Sequence, residues 1–128
     1  MTEKLMYITC GENYAKINQL VDLRYLSGTL ELILASGHAD ETKKSRVAFD
    51  WVHSFRVTDE GELLKMQDDL NGQMVIGIYT VEGSRYLTWF NEQSVNTHDG
   101  DNITHYLIVT DNDVIDVLSS VSPIISFC

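Results

Sequence analysis

Basic residues are scarce in this chain. Of 128 residues only nine are Lys or Arg, against nineteen Asp or Glu, for a formal net charge of −10. The shortage is confined to one half. Residues 1–57 hold seven acids and seven bases, whereas from Thr58 onward twelve acids face only Lys65 and Arg85. A negative surface repels phosphate backbones and anionic headgroups, which argues against nucleic acid and membrane as partners. Proline is nearly missing too: Pro123 stands alone, and no Pro- or Ser-rich linker, repeat or low-complexity tract divides the chain. No run approaches the ~20 apolar residues of a membrane span. The apolar stretch at residues 5–8 is too short for a signal-peptide core, so the expected compartment is the cytoplasm. The two cysteines, Cys10 and Cys128, form no metal-type spacing, and reduced thiols are expected there.

What remains is an ordinary globular composition, 44% apolar and 22% charged, long enough for one self-sufficient core. A single domain over residues 1–128 follows. Val21, Leu23 and Tyr25 alternate, Ser27-Gly28 interrupts, and Leu30, Leu32 and Leu34 alternate again, the pattern of a β-hairpin. Residues 37–44 read as a polar loop. The clearest strand follows, with Val47, Phe49, Trp51, His53, Phe55 and Val57 on one face. It is long, so a bend or bulge is expected. Asp59 and Glu62 make a capping box that opens a helix through Leu63, Leu64, Gln67 and Leu70, closed by Asn71-Gly72.

Strand character returns from Met74 to Val81. Ser84 is the next N-cap, and Tyr86, Trp89, Phe90 and Gln93 follow helical spacing, giving a short helix with an aromatic face. The residues from His98 to Asn102 form a loop, residues 103–109 a strand, and Asp111-Asn112-Asp113 a turn. Residues 114–118 read as a returning strand, although Asp111 could instead cap a helix there. Tight turns favour antiparallel pairing. The fold class expected is therefore α+β: a largely antiparallel sheet of about six strands with two short helices.

No motif announces a reaction. The histidines His38, His53, His98 and His105 lack zinc-type spacing, and His53 and His105 fall on strands, where a core histidine satisfied by one hydrogen bond is the plain reading. A histidine and a carboxylate brought together by folding could still do acid–base work. Asp99-Gly100-Asp101-Asn102 is oxygen-rich but lacks the twelve-residue ligand pattern and terminal glutamate of a calcium loop. There is no Gly-x-Ser-x-Gly elbow, no phosphate-cradling glycine loop, and no base beside Cys10. No catalytic residue, metal or cofactor is assigned.

The acids of the second half fall mainly in turns and helix ends: Asp59, Glu60 and Glu62; Asp68 and Asp69; Glu92; Asp99 and Asp101; Asp111 and Asp113. Gathered into one patch, they would steer a basic partner inward. The segment Ser54-Phe55-Arg56-Val57-Thr58-Asp59-Glu60-Gly61-Glu62-Leu63-Leu64 joins a strand to a capped helix. With Tyr86-Leu87-Thr88-Trp89-Phe90 and the run from His105 to Leu118, it resembles small acidic bacterial proteins of immunity type, which accompany secreted or contact-delivered toxins. The resemblance spans about residues 47–123 and carries no functional residue over. It implies a cytoplasmic, non-enzymatic protein that binds and neutralises a cognate toxin domain, most plausibly a basic nuclease. Two alternatives stand beside it: a small ligand-binding or enzymatic domain using His53 or His105 beside a carboxylate, and a self-associating module that forms a homodimer through a strand edge or the 86–90 face.

Overall fold

The computed structural model describes residues 3–8, 19–35, 44–59, 76–97 and 100–127. Its described strands are β1 (Lys4–Tyr7), β2 (Gln19–Leu26), β3 (Thr29–Ala35), β4 (Lys44–Phe49), β5 (Ser54–Asp59), β6 (Gly77–Glu82), β7 (Thr104–Val109), β8 (Asp113–Ser119) and β9 (Ile124–Phe127). One helix, α1 (Arg85–Gln93), follows β6. All pairing is antiparallel, in a five-stranded sheet of order β1-β6-β7-β8-β5 and a four-stranded sheet of order β2-β3-β4-β9. The antiparallel, strand-rich expectation holds. A single sheet of about six strands does not: there are two sheets and nine strands among the described residues. The helix expected from Asp59 onward lies outside them, except that Asp59 itself ends β5.

The two sheets face each other across one apolar layer. Leu30, Leu32 and Leu34 of β3 and Val47 and Phe49 of β4 meet Ile78, Tyr106, Ile108, Ile115 and Val117 of the other sheet. Directly paired residues share a face, so the register Leu30↔Phe49 and Leu32↔Val47 aligns the inward side chains of β3 and β4. The Phe49 and Tyr106 rings meet edge-on across the gap, centroids 5.3 Å apart. On the outer face of the smaller sheet Arg46 donates to Glu31 at 2.8 Å. This is face-to-face packing of two sheets around a shared apolar layer.

The long alternating stretch from Val47 to Val57 is two strands, not one. Residues 50–53 carry the chain from the four-stranded sheet to the five-stranded one. Val52 N–H donates to Gly28 O and His53 N–H to Leu118 O, each at 2.8 Å. The hairpin of β2 and β3 forms as expected, with positive φ at both Ser27 (50°) and Gly28 (91°), the backbone a two-residue primed turn demands. Val21, however, is pushed outward. A bulge between Leu20 and Asp22 makes it the extra residue and turns Leu20 to the core instead.

Residues 114–118 are strand, which settles the choice against a helix there. The β7–β8 connection uses Thr110 as a substitute backbone. Its Oγ donates to Asp113 O at 2.8 Å and accepts from Asp113 N–H at 3.0 Å, while Thr110 N–H donates to the same Asp113 O. Thr110 is buried, so Thr110→Val keeps the shape but orphans polar groups. It is expected to cost about 1–2 kcal/mol, read as a lower urea midpoint at unchanged m-value.

Candidate functional site

The face of the five-stranded sheet turned away from the sandwich carries a second apolar cluster of Tyr79, Val81, Leu107, Val109 and Val114. Two ionisable residues interrupt it. His105 of β7 pairs with Leu118 of β8, and Asp116 pairs with Leu107, so the two lie diagonally adjacent on one face. They are 2% and 3% exposed. Burial at that depth is costly unless every polar atom finds a partner, and here the partners are specific. His105 Nε2 lies 2.7 Å from Asp116 Oδ1, and Arg56 Nε, from the directly opposed position on β5, donates to Asp116 Oδ2 at 2.8 Å.

The other imidazole nitrogen reaches the start of α1. Ser84 caps the helix: its Oγ accepts from Leu87 N–H at 2.9 Å, and its carbonyl accepts from Thr88 N–H. The same Oγ lies 2.6 Å from His105 Nδ1. The Asp116 carboxylate only accepts, so Nε2–H is the donor to it, and in the neutral imidazole Nδ1 is then the acceptor for the Ser84 hydroxyl proton. A continuous chain Ser84–His105–Asp116–Arg56 results, drawn from α1, β7, β8 and β5. Tyr86 closes it: the Arg56 guanidinium sits 4.1 Å from its ring centroid, its hydroxyl bonds to Ser54 Oγ, and its ring meets that of His105 edge-on at 5.5 Å.

Burial raises the Tyr86 phenol above its ordinary 10.0, against the opposing pull of the Ser54 hydrogen bond and the Arg56 charge; Asp116 adds to the rise. The folded state therefore holds this proton more tightly than the unfolded chain. The resulting stability is fully present below about pH 10 and is lost as pH climbs from there through the raised folded value. Urea unfolding at pH 9 and pH 11 is expected to show lower stability at pH 11, with a smaller drop in Tyr86→Phe.

The aromatic face of α1 is only partly core. Tyr86 is buried, Phe90 is half-buried, and Trp89 is 51% exposed while stacking on Tyr86 at 5.9 Å. His53 is not on a strand at all. It sits in the link before β5, half-buried, with Nε2 3.4 Å from Ser120 Oγ and its ring 6.0 Å from Phe90. His105 meets a carboxylate, that of Asp116. A groove of about 580 Å³ runs beside the helix start, lined by Gly83, Ser84, Leu87, Thr88, Asn91 and Glu92 among others.

The expected partner-binding acids divide between two ends of the five-stranded sheet. Asp59 and Asp113 are directly opposite one another across β5 and β8, with Asp111 in the turn beside them. Glu92 on α1 and Asp101 before β7 belong to the other end, where Thr104 pairs with Ser119. Seven residues of β8 separate the two ends, about 20 Å of strand. Glu60, Glu62, Asp68, Asp69 and Asp99 lie outside the described residues. Among the described residues no cluster of His, Cys, Asp or Glu could hold a metal ion, and no helix is long and apolar enough to cross a membrane.

The sequence did not mark Ser84 and Asp116 as partners of His105, or Arg56 as the partner of Asp116. The signal was present. A two-residue turn centred on Asp111-Asn112 puts His105 opposite Leu118 and brings Asp116 onto the same face, two residue pairs nearer the turn. No family model, curated protein or solved structure matches this chain.

Proposed function

We propose that this chain is a cytoplasmic binding protein of immunity type, which captures a basic protein domain by its acidic sheet end and neutralises it. The observation that supports the reading is the register Asp59↔Asp113, with Asp111 in the adjoining turn. Like charges directly opposite on a sheet cost stability. A docking role accounts for keeping them together at one end, and Asp59 is contributed by an edge strand. A basic surface brought to that end gains several charge-assisted contacts at once. An interface of standard size would bury about 1,600 Å² in total and extend well past these three residues.

The test is to isolate the bound partner at low salt and measure affinity between 50 and 300 mM salt. The wild type is expected to lose affinity steeply as salt rises. The combined variant Asp59→Asn, Asp111→Asn, Asp113→Asn should associate roughly tenfold or more slowly at 50 mM and show a flatter salt response. Equal rates and equal salt slopes for the two proteins would remove the electrostatic docking reading.

A further inference from the structure

We propose that Ser84 is the nucleophile of an acyl-transfer site that hydrolyses small uncharged carboxylic esters, with His105 as its base. The proposal stands apart from the acidic docking end and does not depend on it. An N-cap needs only an acceptor oxygen. Ser84 supplies that and also places its Oγ 2.6 Å from Nδ1 of a buried imidazole, whose far nitrogen lies 2.7 Å from a buried carboxylate. Nucleophile, base and orienting carboxylate in hydrogen-bond sequence are what nucleophilic acyl transfer requires. The local chain path fits as well: strand β6, then Gly83 with φ of 68°, then the serine, then a helix.

A second observation marks the place for negative charge. Arg85 N–H, the amide that follows the nucleophile, donates to Glu3 Oε2 at 3.2 Å. The residue after a nucleophilic serine is where an oxyanion donor belongs, and here a carboxylate oxygen of the same chain already sits on it. Leu87 and Trp89 give the adjoining groove apolar surface, and Thr88 and Asn91 give it polar groups, a lining suited to a short acyl or alkyl chain.

The steps balance with water as the only co-reactant. Ser84 Oγ bonds to the acyl carbon, its proton passes to His105 Nδ1, and the carbonyl electron pair moves onto oxygen at Arg85 N–H, displacing Glu3. The oxyanion pair then re-forms the carbonyl, the carbon–oxygen bond to the leaving alcohol breaks, and the alcohol oxygen takes the proton from Nδ1. Water repeats the sequence on the acyl-serine: it gives a proton to Nδ1, bonds to the acyl carbon, and Ser84 leaves and recovers its proton. Asp116 touches only His105 and Arg56 among these groups, so it is a positioning residue that holds the imidazolium.

The experiment treats the folded wild-type chain with a fluorophosphonate probe, maps the adduct by mass, and follows p-nitrophenyl acetate and butyrate hydrolysis. A single adduct on Ser84 is expected, with hydrolysis lowered about a hundredfold or more in Ser84→Ala and in His105→Gln. Glu3→Ala should speed labelling by vacating the Arg85 amide, and Asp116→Asn should slow it and displace its pH profile. Folded wild-type protein that stays unlabelled, an adduct on another residue, or ester turnover unchanged in Ser84→Ala would overturn the proposal. The wild-type labelling decides the matter even where a substitution prevents folding.

Discussion

Gly28→Ala is expected to destabilise the fold by about 2–4 kcal/mol. Two independent causes combine. The residue has φ of +91°, a conformation that side chains rarely adopt, and a Cβ there would lie 2.3 Å from both Cε3 and Cζ3 of Trp51. Relief has to come from the indole turning about its own side-chain bonds, because the peptide that follows it is held by two hydrogen bonds. Val52 N–H donates to Gly28 O, and Ser119 Oγ donates to Trp51 O at 2.5 Å. The indole is nonetheless 51% exposed, so truncating it costs less than truncating a core aromatic. In a double-mutant cycle with Trp51→Ala, the two substitutions should couple favourably by about 1 kcal/mol or more, since the clash vanishes while the φ strain stays. Strict additivity would mean the ring does not limit the turn.

Asp116→Ala should produce a loss of similar size, about 2–4 kcal/mol, for a different reason. The carboxylate is the shared acceptor of Arg56 and His105. Its removal strands a buried imidazole N–H and leaves the guanidinium without its ion partner over the Tyr86 ring. The cost of orphaned buried groups exceeds what the intact pair contributes. Arg56 is half-exposed (53% for its side chain) and can turn to water, so most of the penalty belongs to His105. Arg56→Ala should consequently cost clearly less than Asp116→Ala, both read from urea midpoints. The reverse order would mean that the cation, not the histidine, depends on the carboxylate.

Local signals were legible where a turn fixed the geometry. Ser27-Gly28 and Asp111-Asn112-Asp113 announced their hairpins, and Ser84 announced its helix, because each residue type answers a backbone demand on the spot. The stretch from Val47 to Val57 misled for a physical reason. Val47 and Phe49 face the sandwich interior from one sheet, Phe55 packs against the same core from the other, and Val57, though 45% exposed, pairs with inward-facing Ile115 in unbroken phase. Period two records which side a residue takes, not which neighbour it pairs with, so the crossing at residues 50–53 left no trace in it. The four-residue strands β1 and β9 were too short to show alternation. Val21 deceived because a bulge shifts phase without changing composition.

The site was half legible. Its histidine stood out, and the chance of a carboxylate beside it was stated; which carboxylate required the hairpin register. The acids were legible as a charge excess but not as positions. Charge counts carry no geometry, and only pairing shows that Asp59 and Asp113 share an end from which Glu92 and Asp101 are excluded.

Carboxyl footprinting of the free and partner-bound chain tests the proposed docking role most directly, since each acid reports its own accessibility. Asp59, Asp111 and Asp113 should lose reactivity when the basic partner binds, while Glu92 and Asp101 keep theirs. Protection confined to the α1 end, or no protection at any of the five, would contradict it.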